Sequence, residues 1–103
     1  MKIAKEKIFD PVLSVLTHQS EDEAIPIANE TNYGLAAFIN STDVQKAQSL
    51  ARRIDAEVVL INNTIAGVSG SMTLPIGGMK QSGIGRSCGA WGLEDYLEPK
   101  TVV

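Results

Sequence analysis

Apolar positions along this chain follow two spacings in turn, and the exchange between them predicts its architecture. The run PVLSVLT, Pro11 to Thr17, is short, apolar and β-branched with proline at its first position, which predicts a strand. In SEDEAIPIANE the spacing changes: Ala24, Ile25 and Ala28 form a helical stripe. Ser20 and Glu23 have the spacing of a capping box, and Glu21, Asp22 and Glu23 suit the positive end of a helix. Pro26 lies beyond the first turn, where it removes a backbone bond, so the helix is expected to be short or kinked. Gly34 stops it, and Leu35 to Ile39 reads as a buried strand. In STDVQKAQSLARRI, Val44, Ala47, Leu50, Ala51 and Ile54 share one face, with Thr42 and Gln45 as a second capping box. Val58 to Asn62, with an all-apolar body, predicts a third strand covered on both faces.

The predicted order is strand, helix, strand, helix, strand. Crossover helices of this kind imply an α/β fold: a three-stranded, mostly parallel βαβαβ unit with right-handed connections. From Asn63 to Gly89 periodicity is lost, and seven glycines and one proline predict a long glycine-rich loop. The chain then offers a short helix around Trp91 to Leu97 and a terminal strand, Thr101 to Val103.

At 103 residues the chain is expected to be a single domain, residues 1–103. The net charge of −3 gives no electrostatic footprint for nucleic acid. The longest apolar run is far too short to span a bilayer, and the N-terminus does not read as a signal peptide. One cysteine, Cys88, excludes an intrachain disulfide, and the expected location is the cytoplasm.

The segment LPIGGMKQSGIGR, Leu74 to Arg86, invites a test as a phosphate site because it packs four glycines around a lysine and a serine. It fails both templates. Ile84 stands where a P-loop needs lysine, and Cys88 where a dinucleotide fingerprint needs its third glycine. The residues alone then suggest glycines that permit positive φ or close backbone approach. Cys88 lacks an identifiable base, since the only histidine, His18, is remote in sequence. One His and one Cys are too few for a structural zinc site. No catalytic constellation and no metal site are visible.

Taken in order, however, the segments resemble the C-terminal part of an NAD(P)-dependent aldehyde dehydrogenase. KIFDPVLSVL is similar to that family's E-I-F-G-P-V-L, and EDEAIPIANETNYGLAAFIN to its E-A-I-x-x-A-N-x-T-x-Y-G-L-A-A. AQSLARRIDAEVVLINN resembles its helix-strand unit, LPIGGMKQSGIGR its P-F-G-G-x-K-x-S-G-x-G-R loop, and GLEDYLEPKTVV its ending. The resemblance implies a partial catalytic domain. In the family reaction a cysteine attacks an aldehyde, hydride passes to NAD or NADP, and the thioester is hydrolysed to a carboxylic acid. The resemblance places that cysteine, the general-base glutamate and the Rossmann-like cofactor domain upstream of this stretch, so no catalytic residue is expected here.

The resemblance carries two cofactor positions onto this chain, Lys7 and Phe9, which match the glutamate and phenylalanine near the nicotinamide ribose. Lys7 departs from the pattern, because an ammonium can only donate hydrogen bonds. Asp10 replaces a glycine, so a positive φ there would be costly, and Ile76 replaces an aromatic near the substrate channel. The resemblance also implies that the glycine loop packs beneath the active site and that the terminal strand pairs across an oligomer interface. The expected partners are therefore the missing N-terminal portion or further copies of this chain, with no nucleic acid and no membrane. The alternative expectation is a non-catalytic, self-associating module, motivated by the initiator-like Met1 just ahead of the motif and by Lys7, Asp10 and Pro26.

Overall fold

The computed structural model describes residues 6–64 and 73–103. Its first helix, α1 (Glu21–Asn29), begins where Ser20 Oγ accepts from the Glu23 amide at 3.3 Å. The Glu23 carboxylate answers by accepting from the Gln19 amide, one residue ahead of the expected reciprocal bond. Pro26 lies inside α1, at its sixth position, so Asp22 C=O has no amide to receive from that residue.

Helix α2 (Val44–Ala51) carries one correction. Its cap is Asp43, not Thr42: the Asp43 carboxylate accepts from the Lys46 amide at 3.0 Å. The pair Thr42/Gln45 is out of phase by one residue, which is all that separates two adjacent capping-type side chains. Ala47 is fully buried at the centre of the predicted stripe, whereas Val44 is exposed.

Strands β2 (Ala36–Ile39) and β3 (Val58–Ile61) pair in parallel, Ala36 opposite Val58 through Ile39 opposite Ile61, with α2 between them in sequence. This is the second half of the expected βαβαβ unit. The first half is not formed: Pro11–Thr17 is not a strand, and Val12, Leu13, Val15 and Leu16 are exposed. A strand exists only through ladder bonds to a neighbour, and local pattern cannot supply the neighbour. Leu60 is the only buried residue of β3; Val58, Val59 and Ile61 are half-buried, so the strand is not covered on both faces as expected.

The glycine-rich stretch is more ordered than its composition predicts. β1 (Tyr33–Gly34) pairs antiparallel with β5 (Met79–Lys80), and β4 (Ile76–Gly77) pairs antiparallel with β6 (Arg86–Ser87). Residues 65–72 of the expected loop lie outside the described residues. A short helix, α3 (Trp91–Glu94), follows and ends in turn bonds from Tyr96 and Leu97; Thr101–Val103 is not a strand. Asp10 is absent from the positive-φ residues, so the expected backbone cost does not arise there.

Among the described residues only Ala47 and Leu60 form a buried apolar core. The chain exposes 8360 Å², where a compact monomer of this mass exposes about 5,600 Å². Its radius of gyration is 16.7 Å, against about 13 Å for a compact domain of this length. The cap assignment is directly testable: Asp43→Ala should cost about 1 kcal/mol, and Thr42→Ala much less, in urea unfolding followed by circular dichroism.

Candidate functional site

The lysine of the glycine loop does the opposite of binding phosphate. Lys80 Nζ donates to the Asn29 carbonyl at 2.9 Å and the Thr31 carbonyl at 3.2 Å. Its remaining charge faces Asp55 Oδ2 at 3.6 Å. Two of the three ammonium protons are thereby spent on backbone carbonyls, and the carboxylate balances the charge as an ion pair without a direct hydrogen bond. Asn29 is the last residue of α1, so the cation also sits at the negative end of that helix.

Asn29 extends the clamp. Its side-chain amide donates to the Arg53 carbonyl at 2.8 Å and accepts from the Asp55 amide at 2.9 Å. The turn after α2 is thereby fixed to the end of α1. Gly34 closes the arrangement, since a Cβ there would collide with the Asp55 carbonyl. Its amide donates to Ser82 Oγ at 3.0 Å, so the loop serine is also used by backbone.

Arg86 holds the other end of the loop. Its Nη1 donates to the Gly85 and Gly78 carbonyls at 2.9 and 3.2 Å, and its Nε lies 3.5 Å from Glu57 Oε1. The Glu57 side chain is 8% exposed and also accepts from the Gly77 amide. A buried carboxylate needs such partners. The lysine, serine and arginine that suggested a ligand site therefore fold the loop instead.

Beside this clamp lies a groove of about 560 Å³ lined by Lys7, Tyr33, Gly34, Asp55, Gln81 and Ser82 among others. Lys7 Nζ stands 4.7 Å from the Phe9 ring centroid and 5.0 Å from that of Tyr33. The structure thus brings the two expected cofactor positions together, with the cation facing aromatic faces. Phe9 is 88% exposed. Tyr33, Asn29, Asp55 and Glu57 were not singled out from sequence, because their partners lie 20 to 51 residues away.

The remaining candidates stay apart from the groove lining. His18 Nδ1 is 3.1 Å from the Ser20 carbonyl, which makes that nitrogen the donor. Cys88 is a half-buried free thiol at φ 65°. Ile76 is half-buried in β4. No group of three metal-ligating side chains occurs among the described residues, and no helix there is long and apolar enough to cross a membrane. Glu21 pairs with the exposed Lys46, linking α1 to α2, and its hydrogen bond raises the Lys46 pKa above the ordinary 10.5. The pair's small contribution is complete below the unfolded lysine pKa and is lost as pH rises through the higher folded value.

The sequence profile of the Aldehyde dehydrogenase family matches residues 1–102. The chain belongs to the aldehyde dehydrogenase family. A Staphylococcus haemolyticus protein named as an aldehyde dehydrogenase is 47% identical over 102 residues, 99% of this chain and 21% of that protein. Betaine aldehyde dehydrogenase from Staphylococcus aureus, crystallised with NAD+, superposes with a TM-score of 0.86 at 43% identity, covering 95% of this chain and 19% of that one. An NAD-dependent aldehyde dehydrogenase from Sinorhizobium meliloti gives 0.84 at 47%, covering 93% and 18%.

This aldehyde dehydrogenase chain thus spans about a fifth of the length of the relatives it matches. Its fold class is α/β, as in those relatives. The family assignment leaves the roles of Lys80 and Arg86 as the hydrogen bonds define them. Lys80→Met should destabilise the chain by about 2 kcal/mol through lost charge-assisted bonds. Arg86→Met should cost more, about 3 kcal/mol, because it strands the buried Glu57 carboxylate. Thermal melts measure both, and added inorganic phosphate should leave the parent melting temperature unchanged.

Proposed function

We propose that this chain is the C-terminal segment of an NAD(P)-dependent aldehyde dehydrogenase, and that it serves oxidation of an aldehyde to a carboxylic acid only together with the rest of that catalytic polypeptide. The observation that carries this reading is the match across residues 1–102 to a family whose members are about five times longer. In this reading the 103 residues are one unit of the catalytic domain, and the protein works in the cytoplasm. The reactive cysteine and the cofactor domain come from the complementary portion. The contribution of this segment is structural support: the bonds among Asn29, Asp55 and Lys80 fix Asp55, which lines the groove together with Lys7.

NAD or NADP is the cofactor the family implies. Of the two carried-over positions, Phe9 keeps the family's residue and Lys7 fits the cofactor poorly. Lys7 offers no acceptor for a ribose hydroxyl, and its ammonium is turned toward the Phe9 and Tyr33 rings. No reaction step is therefore assigned to Lys7 or Phe9.

One observation favours a second reading, a non-catalytic module that self-associates. It is the large apolar surface, including Leu13, Val15, Trp91 and Tyr96, left exposed by a single copy. Light scattering separates the two readings. A homo-oligomer indifferent to NAD supports the module, and a monomer defeats it.

The isolated chain should produce no NADH from aldehyde and NAD+ and should give no binding heat with NAD+ in calorimetry. Co-expressed with the N-terminal four-fifths of the S. aureus betaine aldehyde dehydrogenase, it should support NADH formation from betaine aldehyde. Failure of a formed complex to turn over would defeat the enzymatic reading.

A further inference from the structure

We infer that the Phe9 and Tyr33 rings form a recognition site for a small quaternary ammonium compound at the edge of the Lys7 groove, and that Lys7 Nζ occupies this site in the free chain. The site is built from this chain alone, so it stands under either reading of function above.

One nitrogen faces two rings. Lys7 Nζ lies over the Phe9 ring at 4.7 Å and over the Tyr33 ring at 5.0 Å. Both distances fall within the range of about 6 Å over which the negative face of a ring attracts a cation. The rings reach this point from separate parts of the fold. Phe9 precedes α1, whereas Tyr33 is held in β1 by its ladder to Lys80. Lys7 and Tyr33 line the groove, and Phe9 stands outside that lining as a second wall.

The spacing suits a methylated nitrogen. A single C–N bond is about 1.45 Å long, and carbon atoms touch at about 3.5 Å. A methyl group aimed at a ring therefore holds its nitrogen about 5 Å away. A bare ammonium, with only hydrogens between, can come closer. Lys7 Nζ thus stands where a trimethylammonium nitrogen would stand. Such a nitrogen has no N–H and asks for no hydrogen-bond acceptor, which two ring faces do not supply.

Charge decides against an anion. The charged residues lining the groove are Glu6, Lys7 and Asp55, two carboxylates against one cation. An anionic ligand would meet those carboxylates and the negative ring faces, while the ammonium that could attract it already faces the rings. With Lys7 moved aside the charged lining is acidic throughout. The groove, about 560 Å³, has the size of a small-molecule site. Lys7 then acts as a tethered competitor, because a group on a short flexible link works at an effective concentration in the millimolar range.

The test uses the full chain with choline as the probe and 3,3-dimethylbutan-1-ol, its uncharged isostere, as the control. With two phenylalanines and two tyrosines in the sequence, the Phe9 and Tyr33 ring protons can be followed by NMR. In the parent the Lys7 ε-methylene protons should be shifted upfield by the rings. In Lys7→Ala, choline should shift both rings saturably, with a midpoint at least ~5-fold lower than in the parent. Adding Phe9→Leu to K7A should weaken choline binding about two- to fivefold. Phe9 is 88% exposed, so its replacement leaves packing intact. The uncharged isostere should move neither ring.

Unshifted Lys7 ε-methylene protons in the parent overturn the site without any variant. So does a K7A chain that shows no saturable response to choline or that responds equally to the isostere. Undiminished binding by the K7A/F9L variant overturns it as well. Each of these results leaves the enzymatic reading standing, since that reading is decided by NADH formation in the complemented enzyme.

Discussion

Much of the arrangement of this chain depends on one ammonium group. Lys80 Nζ draws together the end of α1, the turn at Thr31 and the Asp55 carboxylate. The apolar core is too small to do that, with Ala47 and Leu60 its buried members among the described residues. Where burial is scarce, converging hydrogen bonds take over the task of fixing relative positions. They are directional, so they set geometry even where their net stabilisation is modest. The Asn29 amide shows the same economy. It bonds the Arg53 carbonyl and the Asp55 amide, while its own carbonyl receives Lys80.

The glycine loop shows how little composition says about a ligand. A lysine among glycines serves a phosphate only when its protons point into open space lined by backbone amides. Here the acceptors are the protein's own carbonyls, and Ser82 Oγ accepts from the Gly34 amide. Gly77 allows close approach: a Cβ there would meet the Gly85 carbonyl and the Arg86 side chain. The family resemblance and the hydrogen bonds agree that this is a packing loop, and the hydrogen bonds add what it packs.

What was legible from sequence follows the range of the interactions involved. Helix α2, the strand after it and the strand before it were readable because their apolar spacing is local, but the strand before it is not buried as expected: Leu35 and Phe38 are exposed. The cap was misplaced by one residue because Thr42 and Asp43 are both able to serve. Pro11–Thr17 has a strand's pattern, but pairing is a property of two segments, and no ladder forms on this one among the described residues. The ladder between Tyr33–Gly34 and Met79–Lys80 was invisible because it joins residues more than forty positions apart. At the groove, the family motif pointed to Lys7 and Phe9. Tyr33 and Asp55 carried no local signal that would have drawn them in.

Position 80 is under two opposed demands. Its φ of 54° is one that glycine or asparagine adopts readily and a lysine adopts at a cost. Its side chain must nonetheless reach two carbonyls and a carboxylate, which neither glycine nor asparagine could do. The loop is rich in glycine near this position, yet here a left-handed backbone belongs to a residue that glycine cannot replace. Substitution tolerance should therefore be narrowest at the very site where backbone preference alone would forecast the most freedom.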